Sequence, residues 1–469
     1  MTNSAHYRME GELMMLKRKV YSELLKWKEQ YPNTAAFIMG ARQIGKSTAA
    51  RAFGKEHFDQ FIEINFIDHP EMKTLFQRQG ARNILQAITA LTRKSIIPDR
   101  TLILLDEIQE CPEARTAIKF LVEEGSARYI ETGSLLGVNY REVRSFPVGY
   151  EHLIPMYPMD LEEFCWALKI PDQSLDYLRS CYEKREKVMD AIHSEMLNIF
   201  YTYMIVGGMP AVVDSYVKRP DLAVCAQIQS DILHLYRLDI ARYAKSTEKN
   251  KIRNIFDSIP GQLDSKNSRF VLNRLKEGAR MIRYENSFLW LQEAGVALPC
   301  FNVAAPLYPL RMNEKRSLFK LFMCDTGLLC EASAGNLQYP LLMGEVDINT
   351  GSILENVFAQ SITSKNMDLY YFDQKKFGEL DFVLQNGKYI DLFEIKSGND
   401  WKKHRSLDKA LSVQEWSFRN IFIFCKSNVE RAERACYLPF YMIMFYEPQK
   451  RPDSLIWEPE KNALMSFGL

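Results

Sequence analysis

The feature that most constrains this chain is a glycine-containing loop that connects an apolar run to a helix-like run. Residues 35–39 before the loop are all apolar, and small and polar residues follow it. A loop of this kind turns backbone N–H groups inward, and the helix that follows adds the positive end of its dipole. The pattern Gly, four residues, Gly-Lys-Ser therefore predicts a phosphate-binding loop, formed by Gly40, Ala41, Arg42, Gln43, Ile44, Gly45, Lys46, Ser47 and Thr48.

Two side chains of this loop have predicted roles toward a nucleotide. Lys46 can reach the β- and γ-phosphates as a point charge, and the hydroxyl of Ser47 can ligate Mg²⁺. A glycine-containing turn with an exposed lysine is the alternative interpretation. The strand-like and helix-like flanks favour the phosphate site.

A second motif lies about sixty residues further along. Residues 102–105 are apolar, and Asp106 and Glu107 follow them directly. The carboxyl end of a buried strand is where α/β sheets place ligand chemistry. We expect Asp106 to hold Mg²⁺, directly or through water, and Glu107 to orient and deprotonate an attacking water.

Hydroxyl side chains follow the next predicted strand, residues 127–130. Thr132 or Ser134 could contact the γ-phosphate or the attacking water, and an ordinary hydroxyl-rich turn is the alternative. The sequence assigns no arginine finger, because Arg42, Arg141 and Arg144 are equally plausible.

Length and net charge limit the number of domains and the kinds of partner that the chain can have. A chain of 469 residues is too long for one hydrophobic core and suggests about three domains. The net charge of +1 gives no overall attraction to nucleic acid or anionic lipid, so a DNA-binding surface would have to be local. The basic run at residues 402–405 is one candidate, although such short runs are usually solvated surface.

Cysteine spacing and hydropathy predict the compartment. The nine cysteines show neither metal-ligand spacing nor a disulfide framework, which indicates a reducing environment. The N-terminal residues lack the apolar core of a signal peptide, and no apolar run approaches the ~18 residues that span a bilayer. We therefore expect a cytoplasmic protein with no membrane partner.

The periodicity predicts an α/β protein in four segments. Residues 1–34 form a leading helix, and residues 35–160 alternate between apolar strands and helices, as in a doubly covered parallel sheet. Residues 161–343 are mainly helical, and within them residues 267–303 suit a winged-helix unit of two helices and a hairpin. Strands return in residues 344–469, with a two-residue turn signal at Asn386 and Gly387.

At this point the chain resembles a known family. The loop at 40–48, the acidic run at 106–110 and residues 131–134 together resemble the prokaryotic AAA-type ATPases that carry a C-terminal domain of unknown function. Residues 207–210 and 325–329 match landmarks of that family, so the resemblance spans nearly the whole chain. It implies an AAA-like fold, binding of ATP and Mg²⁺, and slow hydrolysis. The chain departs from the family at Tyr150, where many members have a basic residue.

A second constellation lies near the C-terminus, in Glu355, Asp381, Glu394 and Lys396. Glu394 and Lys396 point to the same face of one strand, and Asp381 can face them from the neighbouring strand. This pattern resembles the PD-(D/E)xK nuclease core. The resemblance implies Asp381 and Glu394 as metal ligands, Lys396 as the catalytic lysine and Glu355 as an accessory acid.

These motifs lead to three hypotheses. The first is an ATP-hydrolysing switch or motor coupled to a nuclease-like C-terminal domain. The second is an ATP-regulated, metal-dependent nuclease that acts on DNA through the middle and C-terminal domains. The third is a non-enzymatic scaffold that binds ATP in order to fold or to assemble, for instance as a homo-oligomer.

Overall fold

The computed structural model describes residues 16–77, 80–133, 147, 149–265, 268–334, 350–398 and 400–449. Its first sheet has five strands that all run parallel, in the order β2-β3-β4-β1-β5. The strands are β1 (Ala35–Met39), β2 (Gln60–Asn65), β3 (Thr101–Asp106), β4 (Arg128–Gly133) and β5 (Glu151–Pro155). All six residues of β3 are buried, as expected for a strand whose two faces are both covered.

Four helices accompany this sheet: α1 (Val20–Gln30), α2 (Lys46–His57), α3 (Ala81–Thr92) and α4 (Pro112–Glu124). The predicted leading helix is present as α1, and the predicted strands of this domain lie within three residues of β1 to β4. Because the strands are parallel, the loop after β1 and the residues that end β3 and β4 meet at one edge of the sheet.

The middle of the chain is mainly helical, as predicted. Its helices are α5 (Leu161–Ala167), α6 (Asp172–Lys184), α7 (Asp190–Val206), α8 (Pro210–Lys218), α9 (Leu222–Tyr243), α10 (Lys249–Leu263), α11 (Glu285–Glu293) and α12 (Thr326–Ala334). A capping box begins α5, where the Asp160 carboxylate accepts from the Glu163 N–H and the Glu163 carboxylate accepts from the Asp160 N–H. None of the described helices combines the length and apolarity needed to cross a membrane.

The predicted winged-helix unit is not confirmed. Among the described residues of 267–303, α11 is the single α-helix, and two short 3₁₀ turns precede it. The predicted hairpin exists as β6 (Ala297–Val303) and β7 (Glu314–Met323), but β6 also pairs in parallel with β8 (Leu369–Gln374). The hairpin thus belongs to a four-stranded sheet that ends in β9 (Gly378–Leu380), in the order β7-β6-β8-β9. This sheet crosses the proposed boundary at residue 344. A local pattern cannot reveal this, because the second partner of β6 is remote in sequence.

The last sheet has five strands in the order β10-β11-β12-β14-β13. Its elements, with β9 of the preceding sheet, are β9 (Gly378–Leu380), β10 (Phe382–Asn386), β11 (Tyr389–Lys396), β12 (Asn420–Cys425), β13 (Glu430–Arg431) and β14 (Cys436–Pro439), with α13 (Thr350–Thr363) and α14 (Arg405–Leu411). The predicted turn joins β10 to β11. The strand predicted over residues 380–384 is interrupted at Asp381, where the chain passes from one sheet to the other.

The two family landmarks of the middle region meet in a buried joint. The carboxylate of Asp325 accepts from the backbone N–H of Gly208 at 2.6 Å and from that of Leu328 at 3.0 Å. A Cβ on Gly208 would lie 1.9 Å from the carbonyl oxygen of Met159, so only glycine fits there. Tyr203 donates to the same carbonyl at 2.8 Å, and Gln360 of α13 donates to Tyr203 at 3.0 Å. The joint thus connects the end of the first domain to α7, α12 and α13.

Candidate nucleotide site and a second carboxylate cluster

The phosphate loop lies at the carboxyl edge of the parallel sheet, directly before α2. A Cβ on Gly40 would lie 2.1 Å from the carbonyl oxygen of Met156, which explains the glycine at the start of the loop. At its other end, the carbonyl of Ile44 accepts from Nη1 of Arg18 at 2.8 Å. The loop is therefore held at both ends by residues outside it.

Lys46 is a buried cation whose hydrogen bonds go to carbonyl oxygens of its own loop. Its Nζ donates to Gly40 at 3.1 Å and to Ala41 at 2.7 Å, and the residue is 8% exposed. Burial lowers the pKa of Lys46 to about 8, and the charge of Arg42 acts in the same direction while that of Glu107 opposes it. Within the described chain, no carboxylate forms an ion pair with this amine, so it remains able to bind an anion.

Asp106 brings two of the predicted site residues together. Its Oδ1 accepts from the hydroxyl of Ser47 at 2.6 Å and from the hydroxyl of Thr132. Its Oδ2 accepts from the side-chain amide of Asn65 at 2.9 Å and lies 3.5 Å from Nη2 of Arg51. The carboxylate and the serine hydroxyl are hard oxygen donors beside the phosphate loop, a donor set that suits Mg²⁺.

Glu107 follows β3 in a left-handed backbone conformation, with φ of 57°. Its carboxylate accepts from the side chain of Gln109 and lies 3.7 Å from Nη2 of Arg42. About a quarter of the Glu107 side chain is exposed (25%), whereas Asp106 is 1% exposed. The two adjacent carboxylates therefore differ: Asp106 is enclosed by donors and Glu107 is open to a ligand.

Four further residues from the sequence analysis do not contribute to the described site. Ser134, Arg141 and Arg144 lie outside the described residues. Tyr150 lies at the opposite end of β1 from the loop, where its carbonyl accepts from Ala35 at 2.8 Å and its hydroxyl bonds to Glu123. The departure from the family at Tyr150 is thus remote from the phosphate site.

Sequence reasoning missed several residues of this site. Asn65 ends β2 in direct register with Asp106, so the rule that strand ends meet at one edge could have found it. Asp239 and Tyr243 of α9, which bind Arg42, carry no local signal, since they lie almost two hundred residues from the loop.

The four predicted C-terminal residues also converge. Nζ of Lys396 donates to Oε1 of Glu394 at 2.5 Å, and Oδ2 of Asp381 accepts from the Ile395 N–H at 2.7 Å. Oε2 of Glu355 accepts at 2.8 Å from Lys320, a residue that the sequence did not single out.

Lys320 is the centre of this second cluster. It is 1% exposed, and its amine also lies 2.6 Å from Glu379, another residue that the sequence reasoning missed. Burial disfavours the charge of Lys320, but the carboxylates of Glu355, Glu379 and Asp381 outweigh burial and raise the pKa of the amine well above its usual value. Lys320 therefore neutralises the acids around it.

The negative charges of Asp381 and Glu394 are incompletely neutralised by the nearby lysines. Burial raises the pKa of Asp381 well above its usual value, and the charges of Glu394 and Glu355 raise it further. Burial also raises the pKa of Glu394, against the effect of Lys396. Oε2 of Glu394 is buried without a hydrogen-bond partner. Nevertheless, the described residues include no group of three or more Asp, Glu, His or Cys side chains arranged to hold a metal ion.

The basic run near residue 402 is surface. Lys402 pairs with Glu430 at 2.8 Å and Lys403 pairs with Asp400 at 2.8 Å, and both lysines are well exposed. These pairs support the interpretation of a solvated face.

Comparison with family models matches three consecutive parts of the chain. Residues 32–165 match an AAA domain, residues 197–338 a domain of unknown function termed DUF8612, and residues 350–443 a domain of unknown function termed DUF4143. The first match covers the parallel sheet and the glycine loop. The match to the AAA domain and the glycine loop together support an AAA-type P-loop ATPase domain in residues 32–165. No curated protein matches the sequence.

Solved structures with detectable similarity include the following three. A Walker-type ATPase of Pyrococcus abyssi is 14% identical, with 68% of this chain and 96% of that chain covered and a TM-score of 0.42. The Orc1 protein of Aeropyrum pernix in complex with DNA is 13% identical over 71% and 97%, with a TM-score of 0.29. RuvB of Thermotoga maritima is 15% identical over 60% and 87%, with a TM-score of 0.27. These scores are too low to carry an argument about activity.

Proposed function

We propose that this protein binds ATP with Mg²⁺, hydrolyses it, and uses its nucleotide state as a switch or motor that acts on the C-terminal domain. The observation that carries the proposal is the convergence of three groups at one sheet edge. These are a buried lysine bound only to carbonyls, a hydroxyl–carboxylate pair, and a second carboxylate that is open to solvent.

The residues of the first site would divide the work of hydrolysis. Lys46 and the loop N–H groups would hold the phosphates. Ser47 and Asp106 would hold Mg²⁺, which would neutralise phosphate charge when bound. Glu107 would orient a water molecule and take its proton as the water oxygen attacks the γ-phosphorus. The bond between that phosphorus and the bridging oxygen then breaks, which yields ADP and phosphate. Thr132 holds Asp106 in position through its hydroxyl.

The test separates binding from turnover. We expect the wild-type protein to bind a fluorescent ATP analogue only with Mg²⁺ and to release phosphate. Glu107→Gln should retain binding and lose about 10²- to 10⁴-fold in kcat, the usual contribution of a general base. Glu113→Gln, an exposed glutamate on α4, serves as the matched control. Wild-type protein that binds no nucleotide would refute the proposal, and binding without turnover in any sample would favour the scaffold hypothesis.

The joint at Asp325 supports coupling between the two ends of the chain. It connects Met159, at the end of the first domain, to α13, which carries Glu355 of the second cluster. A buried apolar cluster also runs from Val20 to Tyr446 across all three regions. A displacement at the nucleotide site would therefore be transmitted through packed residues.

A second candidate function, a metal-dependent nuclease acting on DNA, is favoured by the convergence of Asp381, Glu394 and Lys396. The unpartnered, buried oxygen of Glu394 fits a cation, so Asp381 and Glu394 would hold it. A divalent cation there would polarise a phosphodiester group and lower the pKa of a bound water. Lys396 would position that water.

The nuclease proposal is tested with linear, circular and single-stranded DNA in the presence of Mg²⁺ or Mn²⁺, with and without ATP. Cleavage should be lost in Asp381→Asn and retained in Asp408→Asn, an exposed aspartate on α14. Cleavage that is unchanged in Asp381→Asn would exclude this site.

A further inference from the structure

Arg42 leaves the phosphate loop and binds α9 of the middle region. Its Nη1 donates to Oδ1 of Asp239 at 2.7 Å, and its Nη2 donates to the hydroxyl of Tyr243 at 3.2 Å. The backbone carbonyl of Arg42 accepts from the hydroxyl of Tyr236 at 3.0 Å. The three partners are three to seven residues apart, so they lie on one face of α9. One helix thus holds both the backbone and the side chain of a single loop residue.

The same guanidinium faces the proposed catalytic carboxylate. Its Nη2 is 3.7 Å from Oε2 of Glu107, so Arg42 lies between two carboxylates, Glu107 and Asp239. Asp239 is only 6% exposed, and its Oδ2 is buried without a hydrogen-bond partner. Tyr243 extends the contact, since its hydroxyl donates to Glu110 at 2.8 Å. The helix is therefore attached to the residues that follow β3 as well as to the loop.

We infer that Arg42 is a positioning residue that reports the nucleotide state to α9, by exchanging Asp239 for a phosphate oxygen when ATP binds. This inference rests on the proposed ATPase function. Glu107 borders the position of the γ-phosphate, and Arg42 borders Glu107. A planar guanidinium binds phosphate oxygens through paired, charge-assisted hydrogen bonds, and it cannot hold those oxygens and Asp239 with the same N–H groups.

The replacement of Asp239 by phosphate as the partner of Arg42 has two consequences. Helix α9 loses its ion pair with the loop, and Glu107 is freed from Arg42 when a water molecule must be oriented. In the absence of nucleotide, the bond to Asp239 competes with ATP, because it must break before Arg42 can bind phosphate. Removal of that competition should therefore strengthen ATP binding.

The experiment measures ATP affinity and hydrogen–deuterium exchange of peptides from α9 in the full-length protein. In the wild type, Mg²⁺ with a non-hydrolysable ATP analogue should raise exchange in α9. Asp239→Asn should raise that exchange without nucleotide, and should tighten ATP binding by about threefold to tenfold, since a charge-assisted hydrogen bond no longer competes. Tyr243→Phe should shift both quantities less, in the same direction.

Asp257→Asn is the matched control. It breaks an ion pair that Arg237 of α9 makes on another face, at 2.8 Å, and should leave ATP affinity unchanged. The inference would be overturned if Asp239→Asn and Tyr243→Phe both bind ATP no more tightly than the wild type. It would also be overturned if the nucleotide analogue leaves hydrogen–deuterium exchange in wild-type α9 unchanged. A wild-type protein that binds no nucleotide would instead refute the proposed function, so the two failures are distinguishable.

Discussion

Lys46 and Lys320 are both almost fully buried, at 8% and 1% exposure, yet their partners differ in kind. Lys46 donates to two carbonyl oxygens, which carry no net charge, whereas Lys320 lies between the carboxylates of Glu355 and Glu379. The consequence is opposite shifts: the pKa of Lys46 is lowered to about 8, and the pKa of Lys320 is raised well above its usual value.

The difference distinguishes a binding cation from a structural one. Burial of a charge without an ion-pair partner costs free energy, and a bound anion offsets that cost. Lys46 is therefore suited to bind phosphate. Lys320 already has its counter-charges and has nothing to gain from a ligand. The predictions below test this distinction, from the largest expected effect to the smallest.

Lys320→Met should lower the free energy of unfolding by about 3 kcal/mol, because it leaves the partly buried carboxylates of Glu355 and Glu379 without a cation. The loss should shrink at pH 5, because burial raises the pKa of Glu379 and that carboxylate then takes up a proton more readily. Urea denaturation at both pH values measures it. Arg316→Met, in the same strand, removes an exposed guanidinium that pairs with Glu314 and should cost at most about 1 kcal/mol. A Lys320→Met variant as stable as the wild type would contradict the structural role.

Lys46→Met should weaken ATP binding and leave the free energy of unfolding almost unchanged. ATP binding should weaken by at least about a hundredfold, the value of two charge-assisted hydrogen bonds to phosphate. Stability at pH 7 should not fall, because burial of the wild-type amine outweighs the attraction of the nearby carboxylates and lowers its pKa. Fluorescent ATP titration and urea denaturation measure the two quantities, and Lys55→Ala on the exposed face of α2 serves as control. A Lys46→Met variant that loses stability but binds ATP normally would show that Lys46 is a structural cation.

ATP affinity should fall as pH rises through about 8, the pKa of Lys46 in the empty site, by up to about tenfold per pH unit. The reason is that phosphate binds the protonated amine, so the complex holds a proton that the free protein has lost. The contribution of Lys46 to stability has the opposite sign: it rises between pH 8 and 10.5, since the unfolded chain then binds more protons. Titrations from pH 7 to 9 measure the affinity, and in Lys46→Arg the dependence should disappear. A flat wild-type profile would contradict the lowered pKa.

Asn65→Ala should have the smallest effect, about 1 kcal/mol or a roughly fivefold loss in kcat/KM, because Asp106 keeps the hydroxyls of Ser47 and Thr132. Steady-state kinetics beside Asn33→Ala, an exposed asparagine before β1, measures the loss. A loss larger than that of Lys46→Met would mean that the contact of Asn65 with Asp106, rather than the buried amine, dominates the site.

Much of the first site could be predicted because its signals are local. The glycine loop lies between β1 and α2, and Asp106 ends β3, so the parallel sheet brings Ser47 and Asp106 together as a direct result of topology. The C-terminal cluster was predicted in part, since Glu394 and Lys396 share a strand face. Lys320 and Glu379 were missed because the hairpins that carry them, β6–β7 and β8–β9, meet only through the long-range pairing of β6 with β8.

By itself, the sequence determined which elements form and which side chains end their strands, because backbone geometry and hydrophobic periodicity act over a few residues. The tertiary structure alone decided which cation each carboxylate faces and how deeply each is buried. That is why Arg42 has a partner in Asp239, why the hairpin of β6 and β7 is part of a larger sheet, and why the pKa values of Lys46 and Lys320 shift in opposite directions. Charge and burial depend on distances in space between residues that the chain keeps far apart.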